Sequence, residues 1–238
     1  MPIKAVLFDK DGTLLDFDAL WVPVAERAFR SVLSAYGVRE TLLKELLSAI
    51  GVSGGKTAVE GLLCGGTYGQ IGEAAHAVLA KVNPALKVEE VTERTVRAFH
   101  EYMESVPPTP SCKNLRGVLC ALKNRGLKLA VVTSDDAVCT QKCLQGLGIE
   151  DVFDRVFTDD GVHPPKPDPY YLSAFCALEG LSPAEVAMVG DTPTDMLFAR
   201  NGGARGIALA KTAENAAVLS RYTSEVLPDP SYLLEALV

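Results

Sequence analysis

Short apolar runs recur along the chain, and each ends in polar residues or glycine. Ile3 to Phe8 is the first, and Lys128 to Thr133 (K-L-A-V-V-T), Arg155 to Thr158, Val186 to Gly190 (V-A-M-V-G) and the weaker Gly206 to Leu209 follow. Runs of this length without alternation suit strands buried on both faces, as in a parallel sheet. Between them the apolar positions change period. Leu115, Val118, Leu119 and Leu122 keep helical spacing before Gly126, and Tyr171, Ala174, Phe175 and Leu178 keep it before Gly180. Ser182-Pro183-Ala184-Glu185 has the form of a capping box with proline at the first helical position, which predicts a helix start. Pro193 to Asn201 reads as a helix stopped by Gly202-Gly203. Strands alternating with helices predict an α/β fold built on a doubly wound parallel sheet.

One interval breaks this rhythm. From Asp11 to Lys128 the chain runs far beyond the roughly 30 residues of a βαβ crossover. The excess reads as helices over Ala19 to Tyr36, Thr41 to Ile50, Ile71 to Val82 and Val88 to Val106, closed by the stiff Pro107-Pro108-Thr109-Pro110. The expected organisation is an α/β core from residues 1–16 and 108–238, with an all-helical cap domain at 17–107 that could close over a site and exclude water. Within the insert, Ile50-Gly51-Val52-Ser53-Gly54-Gly55-Lys56-Thr57 looks like a phosphate-binding loop, but Ile50 stands where its first glycine belongs and no strand precedes it. It reads instead as a flexible loop whose Lys56 could meet a substrate carboxylate or sugar hydroxyl. Gly146-x-Gly148 is no dinucleotide fingerprint, since Asp151 occupies the third glycine position.

Composition narrows the possibilities. The chain is 48% hydrophobic with a net charge of −7, and it has no basic block, which argues against a nucleic-acid groove. No apolar run reaches membrane-spanning length, so no membrane partner is expected. The first strand starts within a few residues of Met1, so no signal peptide is expected. The six cysteines (Cys64, Cys112, Cys120, Cys139, Cys143 and Cys176) are then expected as free thiols in a cytoplasmic protein. Cys139 and Cys143 lie one helical turn apart, but no second pair completes a tetrahedral metal set, so they read as packing. A monomer or homodimer is expected.

The chemistry lies at the strand ends. Asp9 and Asp11 follow the first strand, and Gly12 allows a sharp turn directly after them. This edge of a parallel sheet is where open α/β folds place ligands. After the second strand come Thr133 and Ser134, whose hydroxyls and adjacent N–H groups suit a phosphate oxygen or a helix cap. Beyond the third, Lys166 is flanked by Pro165 and Pro167 and supplies a point charge on a stiff segment. After the fourth, Asp191 sits at the strand end, with Asp195 one turn into the next helix and facing the same way. Acids alone could cap turns and helices. Together they form an oxygen-rich set that selects a hard cation such as Mg²⁺, with the lysine and hydroxyls complementing a phosphate.

The ordered set Asp9-Lys10-Asp11-Gly12-Thr13, Thr133, Lys166-Pro167 and Gly190-Asp191 with Asp195 resembles the haloacid dehalogenase superfamily of phosphohydrolases. The resemblance spans the whole chain and implies a Rossmann-like core with the C1 helical cap that phosphoglycolate phosphatases carry. It implies that Asp9 is the nucleophile, forming an aspartyl phosphate, and that Asp11 protonates the leaving group and then activates water. It further implies Mg²⁺ held by Asp9, Asp191 and the Asp11 carbonyl, support from Asp195, and phosphoryl binding by Thr133, Ser134 and Lys166. An acid at position 11 is the family's mark of phosphatases and phosphomutases. The expected activity is therefore Mg²⁺-dependent hydrolysis of a small phosphomonoester, with a β-phosphoglucomutase-type isomerase as the alternative. Lys10 departs from the apolar residue many family phosphatases carry there. It reads as a salt bridge, a stem packed on the core, or an attractor of anionic substrates.

Overall fold

The computed structural model describes residues 2–103 and 105–237. The chain divides into two compact units, residues 1–16 with 108–238 and residues 17–107.

In the first unit, strands β1 (Ala5–Phe8), β4 (Lys128–Val132), β5 (Arg155–Phe157), β6 (Val186–Gly190), β7 (Arg205–Leu209) and β8 (Val226–Leu227) form one sheet in the order β5-β4-β1-β6-β7-β8. Every pairing is parallel, and Phe8 stands level with Val131 on one side and Val189 on the other. The crossovers run outward from β1 in one direction and then, from β6, in the other. The chain thus reverses direction between β1 and β6, the position at which such sheets leave a crevice for a ligand.

β1 and β6 are buried along their whole length, which explains their continuous apolar sequence. Successive side chains still alternate between the two faces. Val6, Phe8, Val131 and Val189 pack with Leu115, Leu119 and Leu122 of α6 (Leu115–Asn124). Ala5, Leu7, Val132 and Met188 pack on the opposite face with Phe175 of α8 (Tyr170–Glu179) and Phe198 of α9 (Pro193–Gly202). Each face carries its own apolar cluster, so neither can be given to water. Helices α7 (Ala137–Gly146), α10 (Ala213–Leu219) and α11 (Leu233–Ala236) complete the unit.

Two sequence expectations change here. The Ser182–Glu185 capping box is present, but it closes a single 3₁₀ turn over Pro183–Glu185 rather than starting a helix. The apolar run from Val186 enters the sheet at once and claims the backbone hydrogen bonds a helix would need. β8, only two residues long, was too short to show as a periodic run.

The second unit holds α1 (Phe17–Ala35), α2 (Leu43–Ala49), α3 (Leu62–Gly65), α4 (Tyr68–Leu79) and α5 (Val88–Met103) around their own core, in which the Phe29 and Phe99 rings meet edge to face at 5.6 Å. The capping-box pattern does start a helix here, with Thr67 and Gln70 exchanging bonds at the head of α4. This unit is not all-helical. Strands β2 (Val52–Ser53) and β3 (Lys56–Thr57) pair antiparallel, so the expected flexible loop is a hairpin. Its turn residues, Gly54 and Gly55, have φ of 57° and 74°, the left-handed pair that a two-residue hairpin turn demands. Among the described residues no helix is long and apolar enough to cross a membrane.

Candidate active site

The ladder continues one residue past β1, where the Asp9 N–H donates to the Val189 carbonyl at 2.9 Å. The chain then folds back on itself, and the N–H groups of Leu14 and Leu15 both donate to the Lys10 carbonyl. Gly12, at φ 80°, makes that reversal possible, and a Cβ there would overlap the Asp191 carboxylate. The loop is pinned from below, since Ser111 Oγ donates to the Thr13 carbonyl at 2.6 Å while Thr13 Oγ1 donates to Asp191 Oδ1 at 3.3 Å. Gly12→Ala is therefore expected to displace Asp191, costing about 1–3 kcal/mol of stability and about 100-fold or more in turnover. Thermal melting and steady-state kinetics check this; wild-type rates would show that the close packing of Gly12 on Asp191 has no functional weight.

Asp9, Asp191 and Asp195 each offer a carboxylate oxygen, and those oxygens lie within 4.8 Å of one another. Lys166 joins two of them. Its Nζ donates to Asp9 Oδ1 at 2.5 Å and to Asp195 Oδ1 at 2.6 Å, with its own side chain only 5% exposed. The other oxygen of Asp195 accepts from Thr192 Oγ1 at 2.6 Å and from the Thr192 N–H at 3.1 Å, capping α9. Asp195 thus bridges the helix start and the lysine. Gly190 leaves the space this needs, because a Cβ there would collide with the Asp195 side chain.

Crowding acids in a buried place shifts their titration. Burial pushes Asp9 up to about 7; Lys166 opposes that rise, and the charges of Asp195 and Asp11 add to it. Asp191 is driven well above the carboxylate range by burial and then by Asp9, Asp195 and Asp11. Burial alone would pull Lys166 down, but Asp195 and Asp9 outweigh it and hold the ammonium above lysine's ordinary value. Three carboxylates face one ammonium, so with all of them ionised the cluster would carry excess negative charge, which the raised acids relieve by holding protons. An all-oxygen donor set of that sign fits a small hard divalent cation.

The other candidates fall at varying places. Thr133 is buried at the end of β4, with its N–H on the Phe157 carbonyl and its Oγ1 accepting from the Asp135 N–H at 3.2 Å. Ser134 beside it is exposed. Lys56 lies on the hairpin of the second unit, where its Nζ is 3.1 Å from Asp18 Oδ2, and the same aspartate takes the Thr57 N–H and hydroxyl. Its charge is already engaged within that unit. His163, given no role from sequence, pairs through Nδ1 with Asp160 at 2.7 Å and stacks on Tyr170. Sequence reasoning assigned no role to Thr13, which stands within the first motif, or to Thr192, although the Thr192-x-x-Asp195 spacing is itself a capping-box signal. The sequence sets Lys166 against a phosphate and an ionised Asp9, but gives no sign of its bond to Asp195.

A family model described as haloacid dehalogenase-like hydrolase matches residues 3–203. A phosphoglycolate phosphatase of Psychrobacter arcticus is 28% identical over 212 residues, covering 88% of this chain and 84% of its own. A pyrophosphatase of Bacillus velezensis, PpaX, is 28% identical over 236 residues, covering 99% of this chain and 93% of its own. Among solved structures, a putative β-phosphoglucomutase of Thermotoga maritima superposes with a TM-score of 0.68 at 21% identity, over 99% of this chain and 98% of its own, a likeness of fold.

Proposed function

The chain belongs to the haloacid dehalogenase-like hydrolases, and from that membership we propose that it is a Mg²⁺-dependent phosphatase of small phosphomonoesters, with phosphoglycolate as the first substrate to test. The observation that carries this reading is the meeting of Asp9, Lys166, Asp191 and Asp195 at the reversal point of the sheet.

In this reading a carboxylate oxygen of Asp9 attacks phosphorus. The bond from phosphorus to the ester oxygen breaks, Asp11 gives that oxygen its proton, and an aspartyl phosphate remains. Water then attacks phosphorus, Asp11 takes the water's proton, and phosphate leaves Asp9 free. Lys166 and Thr133 bind phosphoryl oxygens, and Lys166 favours the ionised Asp9 that burial opposes. Asp9, Asp191 and the Asp11 carbonyl would hold Mg²⁺, with Asp195 in support; the bound cation neutralises phosphoryl and carboxylate charge. The transferred group is anionic throughout, so positioning and charge stabilisation supply most of the rate.

The test is phosphate release, with Mg²⁺, from phosphoglycolate, pyrophosphate, β-glucose 1-phosphate and an aryl phosphate. Release that chelation abolishes supports the reading. Glucose 6-phosphate appearing without net phosphate release would convert it to the mutase, and no turnover of any ester would end it. The two curated relatives divide between an ester and an anhydride substrate by name, so the ratio of the first two rates is the informative one.

Cation binding also has a signature outside turnover. Mg²⁺ at about 100 times its Kd adds about 2.7 kcal/mol to the folded state, which for a chain of this length raises Tm by about 5 °C or more. Chelation reverses the rise, and Asp191→Asn removes most of it. An unchanged melting curve counts against a cation among these acids.

A further inference from the structure

Lys10 entered with three readings, and its surroundings choose among them. Its side chain is 1% exposed, so it cannot draw substrates from solution. A stem packed on the core would need no ammonium, and lysines are almost never this buried unless paired. Here the charge is paired twice. Nζ lies 2.5 Å from Asp11 Oδ2 and 2.9 Å from Asp135 Oδ2, with Cys143 Sγ at 3.9 Å.

Asp135 is itself held in place. Its N–H donates to Thr133 Oγ1, its carbonyl accepts from the Asp159 N–H at 2.9 Å, and its Oδ2 takes the Cys139 thiol at 3.4 Å. The Lys10 backbone is fixed at the other end by the two N–H groups it accepts. The ammonium therefore ties the acid of the loop after β1 to the loop after β4. The two cysteines that read as packing are part of its wall.

We propose that Lys10 is a positioning residue, which with Asp135 as anchor holds the Asp11 carboxylate where it serves the leaving group. This rests on the reading of Asp11 as proton donor. A carboxylate on a turn that opens to a crevice has rotamers to choose from, and general acid catalysis needs its oxygen within hydrogen-bond reach of one ester oxygen. A second tether on a rigid partner selects that geometry.

The experiment compares an alkyl phosphate with p-nitrophenyl phosphate, whose leaving group departs without a proton. kcat/KM is the quantity to read, because it reports steps up to leaving-group departure. Lys10→Met should lower kcat/KM for the alkyl ester by about 30-fold or more and for the aryl ester by about 3-fold or less, the former a part of the roughly 10²–10⁴-fold that a general acid contributes. Asp135→Asn, at a side chain 34% exposed, should keep the fold and show the same pattern with a smaller amplitude. Melting curves confirm that both variants are folded; if Lys10→Met is not, Asp135→Asn carries the test. Equal losses on both esters, or no loss on either, overturn the proposal. Asp11→Asn is the control. If it too treats the esters alike, the proton-donor role fails, whereas selectivity in Asp11→Asn without selectivity in the other two refutes only the tether.

Discussion

Asp9→Asn is expected to cut phosphate release by at least about 10⁴-fold on every ester, with the fold intact. An amide oxygen is too poor a nucleophile to open the covalent route, and removing a nucleophile ranks among the largest single losses an enzyme shows. Asn keeps the size of Asp and can still accept from Lys166 Nζ, now 2.5 Å from Asp9 Oδ1. The substitution also relieves the crowding of acids that pushes Asp9 upward. Tm should therefore hold or rise while turnover vanishes, and malachite-green phosphate assays beside calorimetry measure both. Turnover within about tenfold of wild type would remove Asp9 from the mechanism.

The second large effect is on stability. Lys166→Met should cost about 3–5 kcal/mol near neutral pH, because it strips the cation from two acids and leaves them buried. Asp195 is the more exposed to this loss in energy, being the less exposed to water: its side chain is 1% accessible against 10% for Asp9. Adding Asp195→Asn to Lys166→Met should return part of the stability but none of the activity, since the phosphoryl contact proposed for Lys166 would still be missing. Chemical denaturation of the two variants gives the free energies. A single variant as stable as wild type would mean that the acids take up protons without cost, and the pairing would then carry no structural weight.

Much of this arrangement was legible from residue order alone. The strands β1, β4 and β6 announced themselves because a strand with neighbours on both sides and helices on both faces has no polar position to spend. Asp9, Thr133 and Asp191 followed, since each is the residue where such a run stops. What stayed hidden is of two kinds. The hairpin at Val52–Thr57 is too short for alternation to register, and only its Gly54-Gly55 turn could have marked it. The partners of Lys10 and Lys166 are a matter of tertiary contact. Lys10 meets Asp135, and Lys166 meets Asp195, across separations that no local spacing rule spans. The lysine of the first loop could be recognised as unusual, but what it touches depends on which strand lies next to β1.

The division of the first unit into residues 1–16 and 108–238 has a consequence for how the protein is made. Residues 17–107 form a contiguous unit with its own core, in which the first and last helices, α1 and α5, pack on each other, so it can close only once α5 has been made. β1 emerges earlier but must wait. Its neighbours are β4, beginning at Lys128, and β6, beginning at Val186, so the central strand stays without sheet partners until most of the chain has been translated. An apolar tetrapeptide, followed directly by the two acids Asp9 and Asp11, is thus synthesised well before the strands that flank it. Those acids are charged while β1 waits, which keeps the nascent strand from pairing with strangers.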